Sequence, residues 1–150
     1  MNAGRINFWK KMFFVGSLWN LGIGLTSILL TDFILMMMFG TAPVTENFSA
    51  LFNGTVPAAD NLQTVIFFRF FMLAVVLFGI GYYWVSRDLT ANRAIVWLGL
   101  VAKLIIFFTF IYCFATGRSS GFSALVSSGD FVFSIFFVLF LYQVRGGRIH

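Results

Sequence analysis

Four stretches of this chain are long, apolar and nearly free of charge, and each approaches the roughly 20 residues that a helix needs to cross about 30 Å of hydrocarbon. They cover residues 12–39, 62–85, 94–115 and 122–144. The last is the least obvious. Residues 131–144 alone fall short of a span, and extending the segment back to Phe122 places Asp130 inside it. Backbone groups in lipid must bond to one another, which leaves helices or a closed barrel. Barrel strands alternate apolar and polar residues, and runs such as Thr64-Val65-Ile66-Phe67-Phe68 do not. The expected fold class is therefore an all-α membrane protein. It is a single membrane domain over residues 1–150, a four-transmembrane-helix bundle with one long loop at 40–61.

Composition agrees. Hydrophobic residues make up 60% and charged residues 10%, against about 45–50% and about 25% in a soluble domain. A soluble fold with 22 phenylalanines would leave an apolar surplus on its surface and aggregate. The net charge of +5 is not a nucleic-acid footprint, because the basic residues sit in short segments between apolar runs instead of on one tract. The run after Arg5, Lys10 and Lys11 is too long for a secretory h-region and has no A-x-A site, so it reads as a retained span.

Charge bias orients the spans. Arg5, Lys10, Lys11, Arg87, Arg93, Arg145 and Arg148 fall on one side, and only Arg118 on the other. By the positive-inside rule both termini are cytoplasmic. Trp9, Tyr83, Trp84 and Tyr142 then lie near the inner boundary, where aromatic belts form. The 40–61 loop holds Pro43, Pro57, Glu46 and Asp60, an amphipathic stretch at 48–52, and two matches to the glycosylation sequon, at Asn47 and Asn53. The sequon is short and common, so these matches carry little weight.

Charges inside a membrane cost about 2.5–3.5 kcal/mol each on insertion scales, so each needs a reason. Lys103 lies nine residues beyond Ala94, about 13 Å deep at 1.5 Å per residue. Asp130 lies 13 residues before Gln143, about 20 Å from the same boundary. Arg69 lies 16 residues before Val85, about 24 Å up. These depths let long basic side chains reach Asp130, and pairing is the expected solution at low dielectric. Ser127, Asp130 and Ser134 share one face of the fourth helix, and Asn20, Ser27 and Thr31 one face of the first. Gly16 and Gly24 flank Asn20 at a spacing that admits a neighbouring helix. The expected buried polar cluster is Lys103, Asp130, Arg69, Asn20, Asp32 and Ser134, a ligand or proton site or a structural ion pair. Asp32 has two possible places, the outer interface or the cluster itself.

Several chemistries are excluded. The single histidine, His150, removes His-ligated haem, zinc or copper and Ser-His or Cys-His pairs. Cys113 is the only cysteine, so no intrachain disulfide or C-x-x-C exists. There is no P-loop. Met36-Met37-Met38 point in different directions on a helix and read as adaptable apolar packing, not as a copper site. No catalytic residue, metal or cofactor is assigned, and the balance is against an enzyme.

Two motifs resemble those of small bacterial four-span membrane proteins of the broad DoxX-like type. They are Gly79-x-Gly81-Tyr82-x-x-x-Ser86-Arg87-Asp88-x-x-x-Asn92-Arg93-x-x-Val96-x-Leu98-Gly99-x-x-x-Lys103 and Ser128-Gly129-Asp130-x-Val132-Phe133-x-x-Phe136-Phe137. The resemblance implies a multi-pass bundle in the bacterial inner membrane and no particular activity; some such proteins are subunits of larger systems. The leading expectation is a non-catalytic accessory or scaffold subunit in contact with the bilayer and with a protein partner or further copies of itself. Alternatives are a small oligomeric transporter or channel using the Lys/Asp/Arg site, and a binder or isomerase of a lipid- or sterol-like, small apolar ligand.

Overall fold

The computed structural model describes residues 3–39 and 59–145, and every described element is a helix. Helix α1 (Ala3–Leu29) is followed by α2 (Thr31–Phe39), α3 (Ala59–Arg87), α4 (Arg93–Ala115) and α5 (Gly121–Arg145). All but α2 are long and apolar enough to cross a membrane. Glu46, both sequons, the 48–52 stretch, Arg148 and His150 lie outside the described residues. Helix α3 begins at Ala59, so the connection expected over 40–61 is shorter at its far end.

The first span differs most from the sequence reading. Apolarity begins at Met12, but the helix begins at Ala3 and carries Arg5, Lys10 and Lys11. Hydropathy marks the part of a helix that lipid can cover, not where the helix starts. The helix expected to run unbroken to residue 39 is interrupted at Leu30. There the Thr31 hydroxyl lies within hydrogen-bonding distance of the carbonyls of Ser27 (3.0 Å) and Ile28 (2.9 Å), a back-bonding geometry that bends helices. Leu30 still donates to Thr26 and accepts from Ile34, so the chain keeps its direction and the apolar α2 extends the first span.

Contacts between helices settle the arrangement. Leu21 meets Gly79 and Gly24 meets Val76, so α1 and α3 run antiparallel, and Thr31, the first residue of α2, continues the series by meeting Arg69. Trp9 meets Gln143, Phe13 meets Phe137 and Trp19 meets Gly129, so α1 and α5 do too. The short turns 88–92 and 116–120 fold α4 back between α3 and α5, and the start of α1 lies beside the end of α5. The second turn is a Schellman cap: Arg118 donates to the Cys113 carbonyl and Gly117 to that of Phe114, with Gly117 at φ +68°.

The helix contacts are of two kinds. At Gly24 an added Cβ would lie 2.6 Å from Val76 Cγ2 and 3.1 Å from the Met72 carbonyl oxygen, so glycine lets α1 approach α3 backbone to backbone. Between α1 and α5, rings fill the space. Phe13 stacks on Phe137 at 5.3 Å and meets Phe140 edge-on at 4.9 Å, with Trp9 and Tyr82 beside them. This aromatic layer, with Val85, Val96 and Val144, is the solid core of the bundle at the end where the start of α1 meets the end of α5. Trp9 belongs to it: the indole is 3% exposed and donates to Gln143 Oε1 at 3.1 Å. It turns inward, whereas Tyr83, Trp84 and Tyr142 remain exposed.

Candidate functional site

Above the aromatic layer the interior becomes polar. Lys103, on α4, is buried and pairs through Nζ with the Asp130 carboxylate on α5. The same ammonium donates to Asn20 Oδ1 on α1 at 3.1 Å. Helix α3 contributes Tyr82, whose ring centroid lies 5.7 Å from Nζ; the Phe133 ring lies at 5.5 Å on another side. One cation is thus held by a carboxylate, an amide oxygen and two ring faces, the set expected where water is absent. All four spans contribute. Tyr82 can sit there because Gly99 leaves room: a Cβ at that position would lie 2.2 Å from the Tyr82 hydroxyl oxygen.

Of the six residues the sequence proposes as a cluster, three converge: Lys103, Asp130 and Asn20. Ser134 is buried one turn from Asp130, but its hydroxyl donates to the Asp130 backbone carbonyl at 2.8 Å. Arg69 does not join. Its depth matched, but its Nε donates to the Thr31 hydroxyl at 3.1 Å, and it makes no ion pair with Asp130. The Arg69 charge acts on Asp32, and among the described residues no ion pair or hydrogen bond joins Asp32 to Lys103 or Asp130. Arg69 and Asp32 form a separate polar group at the α1–α2 interruption. Rise along a helix axis gives depth; the direction around the axis keeps Arg69 away.

A cavity of about 280 Å³ adjoins the ion pair. Asn20 and Asp130 are its charged or amide-bearing lining residues, and Ile23, Met38, Met72, Val75, Ile106 and Phe110 are among its apolar ones. Gly22 and Thr26 also line it and are exposed, so it reaches the bundle surface along α1. Lys103 is not part of the lining. Towards the start of α1 and the end of α5 the lining ends at Trp19, Asn20 and Asp130, and no residue of the aromatic layer belongs to it. Near its other end Ser120, in the turn before α5, donates through its backbone N–H to the Met38 carbonyl at 2.7 Å and through its hydroxyl to that of Met37. The methionine run thus becomes intelligible: Met38 is buried against the cavity, and α2 is held over it by the turn.

Sequence reasoning gave no site role to Tyr82 and Phe133, which it quoted only within the two motifs, or to Trp19; all three shape this site. Tyr82 left a signal, a hydroxyl-bearing ring between glycine-rich segments of the spans, but its neighbours Tyr83 and Trp84 suggested a boundary position. Phe133 stood in the second motif without a role and Trp19 left no signal among so many aromatic residues; they pack against Gly16 and Gly129 respectively. Comparison with protein-family models, curated proteins and solved structures finds no match to this chain.

Proposed function

We propose that this protein binds a small, mainly apolar ligand within the membrane, in the cavity beside Lys103 and Asp130. The cavity carries the reading: apolar walls that end on a carboxylate and an amide are how small-molecule sites combine affinity with orientation. A scaffold has no use for such a space. The aromatic layer, with Phe13, Phe137 and Phe140 fully buried, closes the route that a channel through a single copy would need. The proposal therefore favours the ligand-binding expectation over the accessory subunit and the transporter. It places the chain in a bacterial cytoplasmic membrane with both termini inside, on the charge bias of the turns and the DoxX-like motifs.

An engineered cavity of about 150 Å³ takes benzene, so a space of about 280 Å³ suits a two-ring probe. Naphthalene should saturate one site per chain in nanodiscs, read by intrinsic fluorescence because Trp19 lines the cavity. Val126→Trp, which fills the cavity from α5, should abolish saturation while leaving the helical circular dichroism unchanged. Saturation unaffected by Val126→Trp refutes the reading.

A further inference from the structure

Among the groups that line the cavity, the Trp19 indole N–H and the hydroxyls of Thr26 and Ser27 donate to no described residue, whereas the remaining donors are engaged. Lys103, the strongest donor, is 3% exposed and lies outside the lining, with its ammonium on Asp130, Asn20 and two ring faces. Asn20 gives its oxygen to Lys103 and directs its amide N–H toward the Val75 carbonyl at 3.5 Å. On the α5 wall, Ser127 donates to the Ala124 carbonyl at 3.0 Å. The Ser123 hydroxyl lies 2.7 Å from the Ser120 carbonyl and 2.8 Å from Ser119 Oγ. Both α5 hydroxyls therefore have their protons engaged, that of Ser127 within α5 and that of Ser123 in the turn before it, and their oxygens remain able to accept. Asp130 meets Lys103 through Oδ1, and its second oxygen takes no hydrogen bond from any described residue.

From this arrangement we infer that the cavity selects a ligand with one neutral hydrogen-bond donor, an alcohol-type hydroxyl, which donates to Asp130. The inference rests on the ligand-binding reading above and adds the chemical class. Lys103 already balances the carboxylate, so a cationic ligand meets no net negative charge. An anionic head would sit beside the unpaired oxygen of the Asp130 carboxylate. A ketone, ester or ether can accept from Ser27 or Thr26 but leaves the free Asp130 oxygen unpaired. A hydroxyl satisfies the free carboxylate oxygen and brings no charge to desolvate.

The test is a matched probe series at neutral pH in nanodiscs, with each affinity corrected for partition into lipid: naphthalene, 2-methoxynaphthalene, 2-naphthol, 2-naphthoate and naphthylmethylammonium. A hydrogen bond to a charged acceptor should make 2-naphthol bind about tenfold to hundredfold tighter than its methyl ether, with both ions weaker than either. In Lys103→Met/Asp130→Leu that advantage should shrink to about twofold while naphthalene still binds. Equal binding of naphthol and ether, or tightest binding of the ammonium or the carboxylate, overturns the inference and leaves the binding site standing. No saturable naphthalene binding removes the binding site itself, and the inference with it. The wild-type series decides the matter even if the double variant fails to fold.

Discussion

Replacing Lys103 with methionine strands the Asp130 carboxylate, and replacing Asp130 with leucine strands the Lys103 ammonium. The two losses are unequal because the partners are unequally buried: the Lys103 side chain is 4% exposed and that of Asp130 16%, on the cavity side. A stranded carboxylate can take up a proton and face the cavity. A stranded ammonium keeps only Asn20 and two ring faces. Breaking a buried pair from one side costs about 3–5 kcal/mol. We therefore expect a loss of about 3 kcal/mol for Lys103→Met and about 4 kcal/mol for Asp130→Leu. The double variant removes both charges and leaves apolar groups of similar size, so it should lie within about 1 kcal/mol of the wild type. Unfolding in mixed micelles, driven by rising sodium dodecyl sulfate and followed by circular dichroism, gives all three differences. A double variant as unstable as the sum of the singles, about 7 kcal/mol by the same reasoning, refutes the account of the pair as mutual neutralisation. Equal losses in the two singles refute the argument from burial.

Three further perturbations test other parts of the bundle. Gly24→Ala places a methyl group 2.6 Å from Val76 and 3.1 Å from a backbone oxygen, and should cost about 1–3 kcal/mol in the same unfolding assay. Gly22→Ala, two residues away with nothing within 4 Å, should be neutral or gain up to about 1 kcal/mol. At the turn 88–92, outside the spans, the backbone N–H of Ala91 and the hydroxyl and N–H of Thr90 hold the Asp88 carboxyl down to about 2. Because the folded value lies below the ordinary 3.8, this stabilisation is complete above 3.8 and disappears as pH falls from there toward 2. Asp88→Ala should therefore melt below the wild type at neutral pH, with the gap closing across that window; a gap unchanged at the acid end contradicts the assignment. Finally, brominated lipid should quench Trp84 and Trp97, which are 56% and 52% exposed, and spare Trp9 at 3%, in variants that retain one tryptophan each.

Some of this architecture is legible in the chain because lipid imposes it. Span length follows from bilayer thickness, and Asp130 had to lie inside a helix because residues 131–144 could not cross alone. Lys103 and Asp130 could be matched because rise per residue converts sequence position into depth. What is not legible is azimuth. In a soluble helix the polar face points away from the core, but lipid and core are both apolar, so the pattern says little about which way Arg69 or Trp9 points. Arg69 lay at the right depth and turned to Thr31; Trp9 lay at the right boundary and turned inward. The interruption at Leu30 hides for a similar reason, since Thr31 reads as one more small polar residue on a helix face. The cavity has no signature at all. It is bounded by residues from all five described helices, and no single residue encodes it.

The location of the ion pair has a consequence for how the protein is made. Lys103 and Asp130 sit on adjacent spans joined by only the turn 116–120. If the spans reach the bilayer in order of synthesis, α4 arrives first with a lysine at mid-depth and no acid on its own segment. That helix alone carries an insertion cost of about 2.5–3.5 kcal/mol, and α5 carries a similar one for Asp130. The tight cap at Gly117 keeps the two segments close in sequence and in space, so each can cancel the other's charge as the hairpin enters. On that order α4 and α5 would enter as one unit, and a ribosome pausing between them would leave in the membrane a helix whose charge has no counterpart.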